Sequence, residues 1–313
     1  MMLGEVWNSM APYIEVVADY QDECGECPVW SPERQVLNWT DCIGQRFYEY
    51  DGQRHRFVRT GLQVNSFRRH RDGGFVIANN GGVWRWDGVG EPALIAAEAD
   101  GAPCQLNDCI ADRYGRLYSG SCFYDPQADY PLGKLIRIDL DGTARILDEG
   151  FHLANGLGFS PDDRTMYFTD SATRTIYAYE YDPATGDVKN RRVFVTVPST
   201  EGLPDGMTVD SEDFVWSAQW YGSCVVRYDP DGKVERRLST PAKQTSCVAF
   251  GGPELTDLYI TSAAKSEPMP IMPPGYDASS GFFGGPLYRV RLDIAGQPQA
   301  QANIRKPGLK PTA

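Results

Sequence analysis

Six residues, Glu26, Asn65, Asn107, Asn155, Asp205 and Ser246, each stand at the start of an otherwise apolar run, and none of them is apolar. Brought together, two carboxylates and three carboxamides would form an all-oxygen donor set. Such a set suits a hard divalent ion such as calcium, magnesium or manganese. Two carboxylates held close together cannot both stay ionised cheaply, and a bound cation relieves that cost. With only two anionic donors, such an ion keeps room for water, whose pKa it lowers towards that of a usable nucleophile. The plainer alternative is that polar residues end strands and hold channel water. The two readings differ in whether the six positions meet.

They meet if the chain repeats. An aromatic-rich run ending in a carboxylate recurs six times: RFYEYD (46–51), GVWRWD (82–87), KLIRID (134–139), TIYAYEYD (175–182), CVVRYD (224–229) and PLYRVRLD (286–293). Four lead into Asp-Gly or Asp-Pro, at Asp51, Asp87, Asp182 and Asp229, which are turn signals. Upstream of each run lies a pair of apolar segments split by turn residues. ECPVWSPERQVLNWTD (26–41) and NGLGFSPDDRTMYFTD (155–170) align without a gap, and 65–78, 107–120, 205–219 and 246–262 follow the same plan. No convincing helical period is present.

Six units of about four short strands predict an all-β, six-bladed β-propeller of four-stranded blades with a central channel. The expected blades run over 20–60, 61–103, 104–150, 151–200, 201–242 and 243–295 in one domain covering 1–313. The run YIEVV (13–17) is expected to close the sixth blade. A two-sheet sandwich is the structural alternative, but it does not explain the sixfold recurrence. In a propeller the first strand of each blade lines the channel, so the six polar positions converge at one face. Two long connections, 119–133 and 263–285, return to that face and supply candidate walls in Phe123, Tyr124, Met269, Tyr276 and Phe282. Trp220 and Tyr221 could serve likewise. His152, three residues before Asn155, is a candidate for contact with substrate.

Composition narrows the classes. The chain has 313 residues, 42% of them hydrophobic, and a net charge of -12. The acidic balance argues against nucleic acid and against anionic membrane surfaces as partners. Neither a signal peptide nor a run long enough to span a bilayer is read, so the expected location is cytoplasmic with reduced thiols. Cys24 and Cys27 form a CxxC, but no second pair completes a zinc ribbon. Nucleophile-elbow, HExxH and Walker motifs are missing. His55 and His70 read as solvated strand-edge residues, and Cys109 as a packing thiol.

The stretches GECPVW, ANGLGFSPDDRTMYFTDS, LPDGMTVD and GGPELTDLYITSA resemble the SMP-30/gluconolactonase/LRE-like family, which includes regucalcin-type proteins, over about residues 20–295. The resemblance implies a six-bladed propeller that hydrolyses sugar lactones with one divalent metal in its channel. It implies metal ligation by Glu26, Asn155 and Asp205, with Asp205 also a candidate base. Asn107 matches the asparagine of an R-x-N-D motif near metal and substrate. Gln105 stands where the family's arginine contacts substrate hydroxyls, so a neutral amide takes that place.

The resulting expectation is a metal-dependent lactonase acting on a small sugar lactone, as a monomer or small homo-oligomer. The metal-ligand set is Glu26, Asn155 and Asp205. Asp205 is the catalytic residue. Substrate contacts fall to Asn107, Gln105, His152, Tyr124 and Trp220. Calcium, zinc, manganese, magnesium and iron(II) all suit these donors. An esterase or phosphotriesterase using the same site, and a non-catalytic metal- or ligand-binding propeller, are the alternatives.

Overall fold

The computed structural model describes residues 13–121, 125, 127, 131–265 and 268–305, and within these the regular structure is entirely β. Six four-stranded antiparallel sheets form a β-propeller. The inner strands are Gly25–Ser31, Ser66–Arg69, Leu106–Ala111, Ala154–Phe159, Leu203–Val209 and Thr245–Gly251. Each packs against the inner strands of both neighbouring blades, so the ring is closed. The sixth sheet takes its outermost strand from the other end of the chain: Ile14–Ala18 pairs antiparallel with Leu287–Arg291, and Glu15 and Arg289 form an ion pair at 2.6 Å across that pairing.

The alternation of the strands explains the layering. Each blade turns one face to the blade before it and the other to the blade after it, so both faces must be apolar. The core is accordingly divided into six clusters, each shared by two adjacent blades. Trp39 and Tyr48 of the first blade pack with Tyr259 and Leu287 of the sixth. Phe47 of the first packs with Phe67, Ile77 and Trp86 of the second. Truncating one of these fully buried aromatics to alanine costs about 3–5 kcal/mol in comparable cores. The outermost strands carry the charge. His55–Thr60, Val188–Thr196 and Val234–Ser239 are rich in arginine and largely exposed, which discourages edge-to-edge association.

The gap-free alignment of 26–41 with 155–170 has a structural cause at its last residue. The Asp41 carboxylate accepts hydrogen bonds from the Glu23 and Cys24 N–H groups, both at 3.0 Å. The Asp170 carboxylate accepts from the His152 and Leu153 N–H groups at 3.0 and 2.9 Å. Each aspartate therefore pins the loop that delivers the chain into an inner strand.

A buried acid beside the first of these has a measurable consequence. Asp22 is 2% exposed. It accepts hydrogen bonds from Tyr48 Oη at 2.5 Å and Trp39 Nε1 at 3.1 Å. Burial, and to a lesser degree the neighbouring Asp41 charge, push its pKa up to about 7 against these donors. An unfolded aspartate titrates near ~4. Between these values the folded chain keeps a proton that the unfolded chain has lost. The associated stability is full below about 4 and is lost as pH rises through about 7. The protein is expected to unfold more readily at pH 7.5 than at pH 5, and Asp22→Asn is expected to flatten part of that slope. Chemical denaturation across this range in the presence of chelator checks it, and an unchanged slope in the variant would show that Asp22 is ionised throughout.

The far end of the channel is crossed by the segment after the last blade. Gly296 N–H donates to Leu255 O, Gln299 Oε1 accepts from Trp30 N–H, Ala302 N–H donates to Arg69 O, and Asn303 N–H donates to Gly115 O. Gln297 Nε2 reaches the carbonyls of Phe159, Val209 and Asp210. One short extended segment thus touches all six blades.

Candidate functional site

At the opposite face the inner strands open into a cavity of about 400 Å3. Its floor brings together Glu26, Asn65, Asn107, Asn155 and Asp205. Five of the six inner strands carry a register irregularity at this level, spanning Glu26–Val29, Leu106–Cys109, Ala154–Leu157, Pro204–Met207 and Thr245–Val248. Bulges break the strict alternation of side chains and re-aim them. In the first blade Cys27 takes a φ of 49°, a left-handed conformation rarely used by non-glycine residues.

Two glycines show how tightly these strands approach. A Cβ on Gly156 would meet Asp205 O at 2.5 Å and Met207 N at 2.7 Å, and one on Gly206 would meet Cys247 Sγ at 2.4 Å. The Asn-Gly and Asp-Gly pairs of the two motifs therefore let neighbouring backbones close in and set Asn155 beside Asp205.

The six polar positions divide by role. Asn65 Nδ2 donates to Leu106 O at 2.7 Å, and Asn107 Nδ2 to Ala154 O at 3.1 Å. Ser246 Oγ donates to Gly25 O and lies outside the cavity lining. These three clamp one blade to the next, which is the plain strand-end role. Asn155 Nδ2 donates to Ser171 Oγ at 3.2 Å, and its Oδ1 receives Asn107 Nδ2 at 3.2 Å. Glu26 and Asp205 are different. Asp205 Oδ1 is buried without a hydrogen-bond partner among the described residues. Glu26 Oε2 receives only the adjacent Cys27 N–H, at 3.3 Å.

Electrostatics sharpen the contrast. Burial, then the charges of Asp205 and Asp108, push the Glu26 carboxyl well above the usual carboxylate range. Asp205 is also pushed well up, by burial and by Asp108, against hydrogen bonds from Gly206 N–H and Asn155. Asp108 itself rises to about 6 through burial, opposed by the Arg68 guanidinium. Three carboxylates in one channel, faced by one arginine, are short of positive charge. Among the described residues no three His, Cys, Asp or Glu side chains lie close enough to hold a metal by themselves. The donor set nonetheless fits a hard divalent cation: the Glu26 and Asp205 carboxylates, with Asp205 Oδ1 buried and unpaired among the described residues, the Asn155 amide oxygen, and water for the remaining positions.

The cavity walls are apolar and amide-rich. Leu153, Leu203, Trp220 and Met269 line it, with exposed Ile43 at its edge. The Trp220 indole N–H has no partner among the described residues. Gln45, Gln63 and Asn80 add neutral amides. Cys24 and Cys42 also line it. The Cys42 N–H donates to Cys24 O at 3.0 Å, and the two thiols are within hydrogen-bonding reach.

Several expected walls stand elsewhere. Gln105 is half-buried and outside this cavity's lining. His152 is also outside the lining; Asp170 accepts from its backbone N–H, and its Nδ1 lies 3.7 Å from the same carboxylate. Tyr276 packs on Tyr221 with ring centroids 4.5 Å apart, over a separate hollow, and Phe282 is 47% exposed. Phe123 and Tyr124 lie outside the described residues. Asp108 and Arg68 were not anticipated as site residues.

The family model described as SMP-30/Gluconolactonase/LRE-like region matches residues 24–264. The chain belongs to this family. It is 38% identical over 293 residues to a pentonolactonase (XacC) of Haloferax volcanii, covering 92% of this chain and 98% of the relative. It is 32% identical to a 6-deoxy-6-sulfogluconolactonase of Pseudomonas putida, covering 77% of this chain and 84% of that one. Among solved structures, a luciferin-regenerating enzyme superposes with a TM-score of 0.81 at 26% identity, covering 94% of this chain and all of the other. The propeller and the channel-mouth cavity are thus those of a family with lactonase members.

Proposed function

We propose that this family member is a lactonase that opens the ring of a small sugar lactone by attack of water, with a divalent cation held by Glu26, Asn155 and Asp205. The observation that carries the reading is the pair of buried carboxylates, with Asp205 Oδ1 unpaired among the described residues, on the floor of the 400 Å3 cavity. The names of the relatives, which act on pentono- and sulfogluconolactones, support the reaction class.

A cation bound there would polarise the ester carbonyl and offset the charge that develops on its oxygen. The chain's own groups do the rest. Asp205, whose Oδ1 has no hydrogen-bond partner among the described residues, takes the proton of the attacking water. Asn107 holds the Asn155 amide in place. Trp220, Leu153, Leu203 and Met269 form the wall and exclude bulk water from the ring. The neutral amides of Gln63 and Asn80 suit sugar hydroxyls, which both donate and accept.

The test is proton release on mixing the protein with a panel of aldonolactones, with and without chelator. Chelator-sensitive hydrolysis of at least one pentono- or hexonolactone above the spontaneous rate is expected. No acceleration of any lactone under metal-replete conditions would sink the reading.

A further inference from the structure

We infer that the cavity selects uncharged aldonolactones and discriminates against phosphorylated or sulfonated ones; this rests on the lactonase reading above. The family does not settle the matter, since one relative is named for a sulfonated lactone. This chain's own residues do the selecting.

Recognition of a phosphate or sulfonate needs a cation, most often a forked guanidinium or an ammonium, wherever the group is withdrawn from water. Among the described residues the cavity's polar lining is carboxamide, hydroxyl, thiol and two carboxylates, with no lysine, arginine or histidine. The stretches of the two long connections that are not described, 122–124, 126, 128–130 and 266–267, contain none of these three residue types either.

The cations nearest the mouth are already engaged. Arg46 is held by Asp41 and reaches Tyr20 O at 3.4 Å. Arg174 spends its guanidinium on the carbonyls of Glu201, Gly202 and Ile271 at 2.8–2.9 Å. Lys243 donates to Asp277 O at 3.0 Å and to Ser280 O at 2.5 Å. Arg68, deep in the channel, donates to Phe67 O at 2.7 Å and faces Asp108. His152 lies outside the lining, its Nδ1 3.7 Å from the Asp170 carboxylate and without a hydrogen bond among the described residues.

A dication on the floor does not change the balance, because the Glu26 and Asp205 charges match it. An anionic tail on the sugar would leave water without a partner, inside a chain whose net charge is -12. A hydroxyl in the same place finds the Gln63, Asn80 or Gln45 amide.

The experiment compares kcat/KM of the metal-loaded protein for neutral pentono- and hexonolactones with that for 6-phosphogluconolactone and 6-deoxy-6-sulfogluconolactone. The neutral compounds are expected to lead by about 100-fold, the scale on which pocket chemistry separates related substrates. Gln63→Arg places a guanidinium on the wall from a half-buried position whose side chain makes no clamp between blades. It is expected to narrow the gap by roughly tenfold through a charge-assisted contact. Anionic and neutral lactones turned over within threefold of one another would overturn the inference and leave the lactonase reading standing. Turnover of neither class would remove both. A gap unmoved by Gln63→Arg and by Asn80→Arg alike would show that the cavity walls do not set it, and would also overturn the inference.

Discussion

Glu26→Gln is expected to abolish turnover and to weaken divalent-metal binding by at least about 100-fold, or ~2.7 kcal/mol, while the metal-free protein melts no lower than the parent. The two halves of this expectation come from the same electrostatics. With metal present, Glu26 is one of only two anionic donors in the set, and ligand charge count is a main determinant of affinity for hard cations. Without metal, Glu26 is a buried carboxyl pushed up by burial and by the charges of Asp205 and Asp108. Replacing it by an isosteric neutral amide removes repulsion and leaves the volume unchanged. Thermal melts with chelator and with saturating metal, alongside calorimetric metal titration, separate the two effects. Unchanged metal content and turnover in the variant would refute the site.

Asp205→Asn is expected to lower kcat by about 10²–10⁴-fold, the usual scale of general-base assistance, while retaining a weakened metal site. The amide preserves shape and one oxygen ligand but loses the charge and nearly all basicity. Glu26 and Asn155 remain as donors. If Asp205 acts mainly as the base, saturating metal restores occupancy but not rate. If it acts mainly as a ligand, excess metal restores much of the rate. The unpaired Oδ1 favours the first outcome. A metal titration of the variant's turnover decides between them, and full activity in metal-free buffer would exclude both roles.

The parts of this architecture legible in the sequence are those that repeat. Six polar residues at equivalent strand starts, and two segments aligned to a terminal aspartate, reflect one local solution used several times. Asp41 and Asp170 do the same work on two loops, and Glu26 and Asn155 occupy matching places above them. What could not be read lies in backbone register and in pairings between segments distant in the chain. Asp108 follows Asn107 directly, and strict alternation would send it away from the channel; the irregularity between Leu106 and Cys109 brings it in. The CxxC pattern drew attention to Cys27, yet the partner of Cys24 is Cys42, because pairing of Gly25 with Asp41 sets the next two residues opposite each other. The segment 296–305 shows no apolar period, since it is held by hydrogen bonds to backbone groups distant in the chain, while Ala302 and Ile304 join the core.

That terminal segment governs traffic. By crossing the far end of the channel it obstructs that end, so in the proposed reaction the mouth above Glu26 and Asp205 serves both entry and exit. In the proposed reaction a neutral ring goes in and an acid comes out past it. The product's new carboxylate forms beside the cation that the proposed reaction places on the floor, and that attraction opposes its release. It must clear the opening before the next ring can descend. Each cycle is therefore serial, one guest at a time, and the acid, whose carboxylate suits the cation, is expected to inhibit competitively where the corresponding polyol inhibits less.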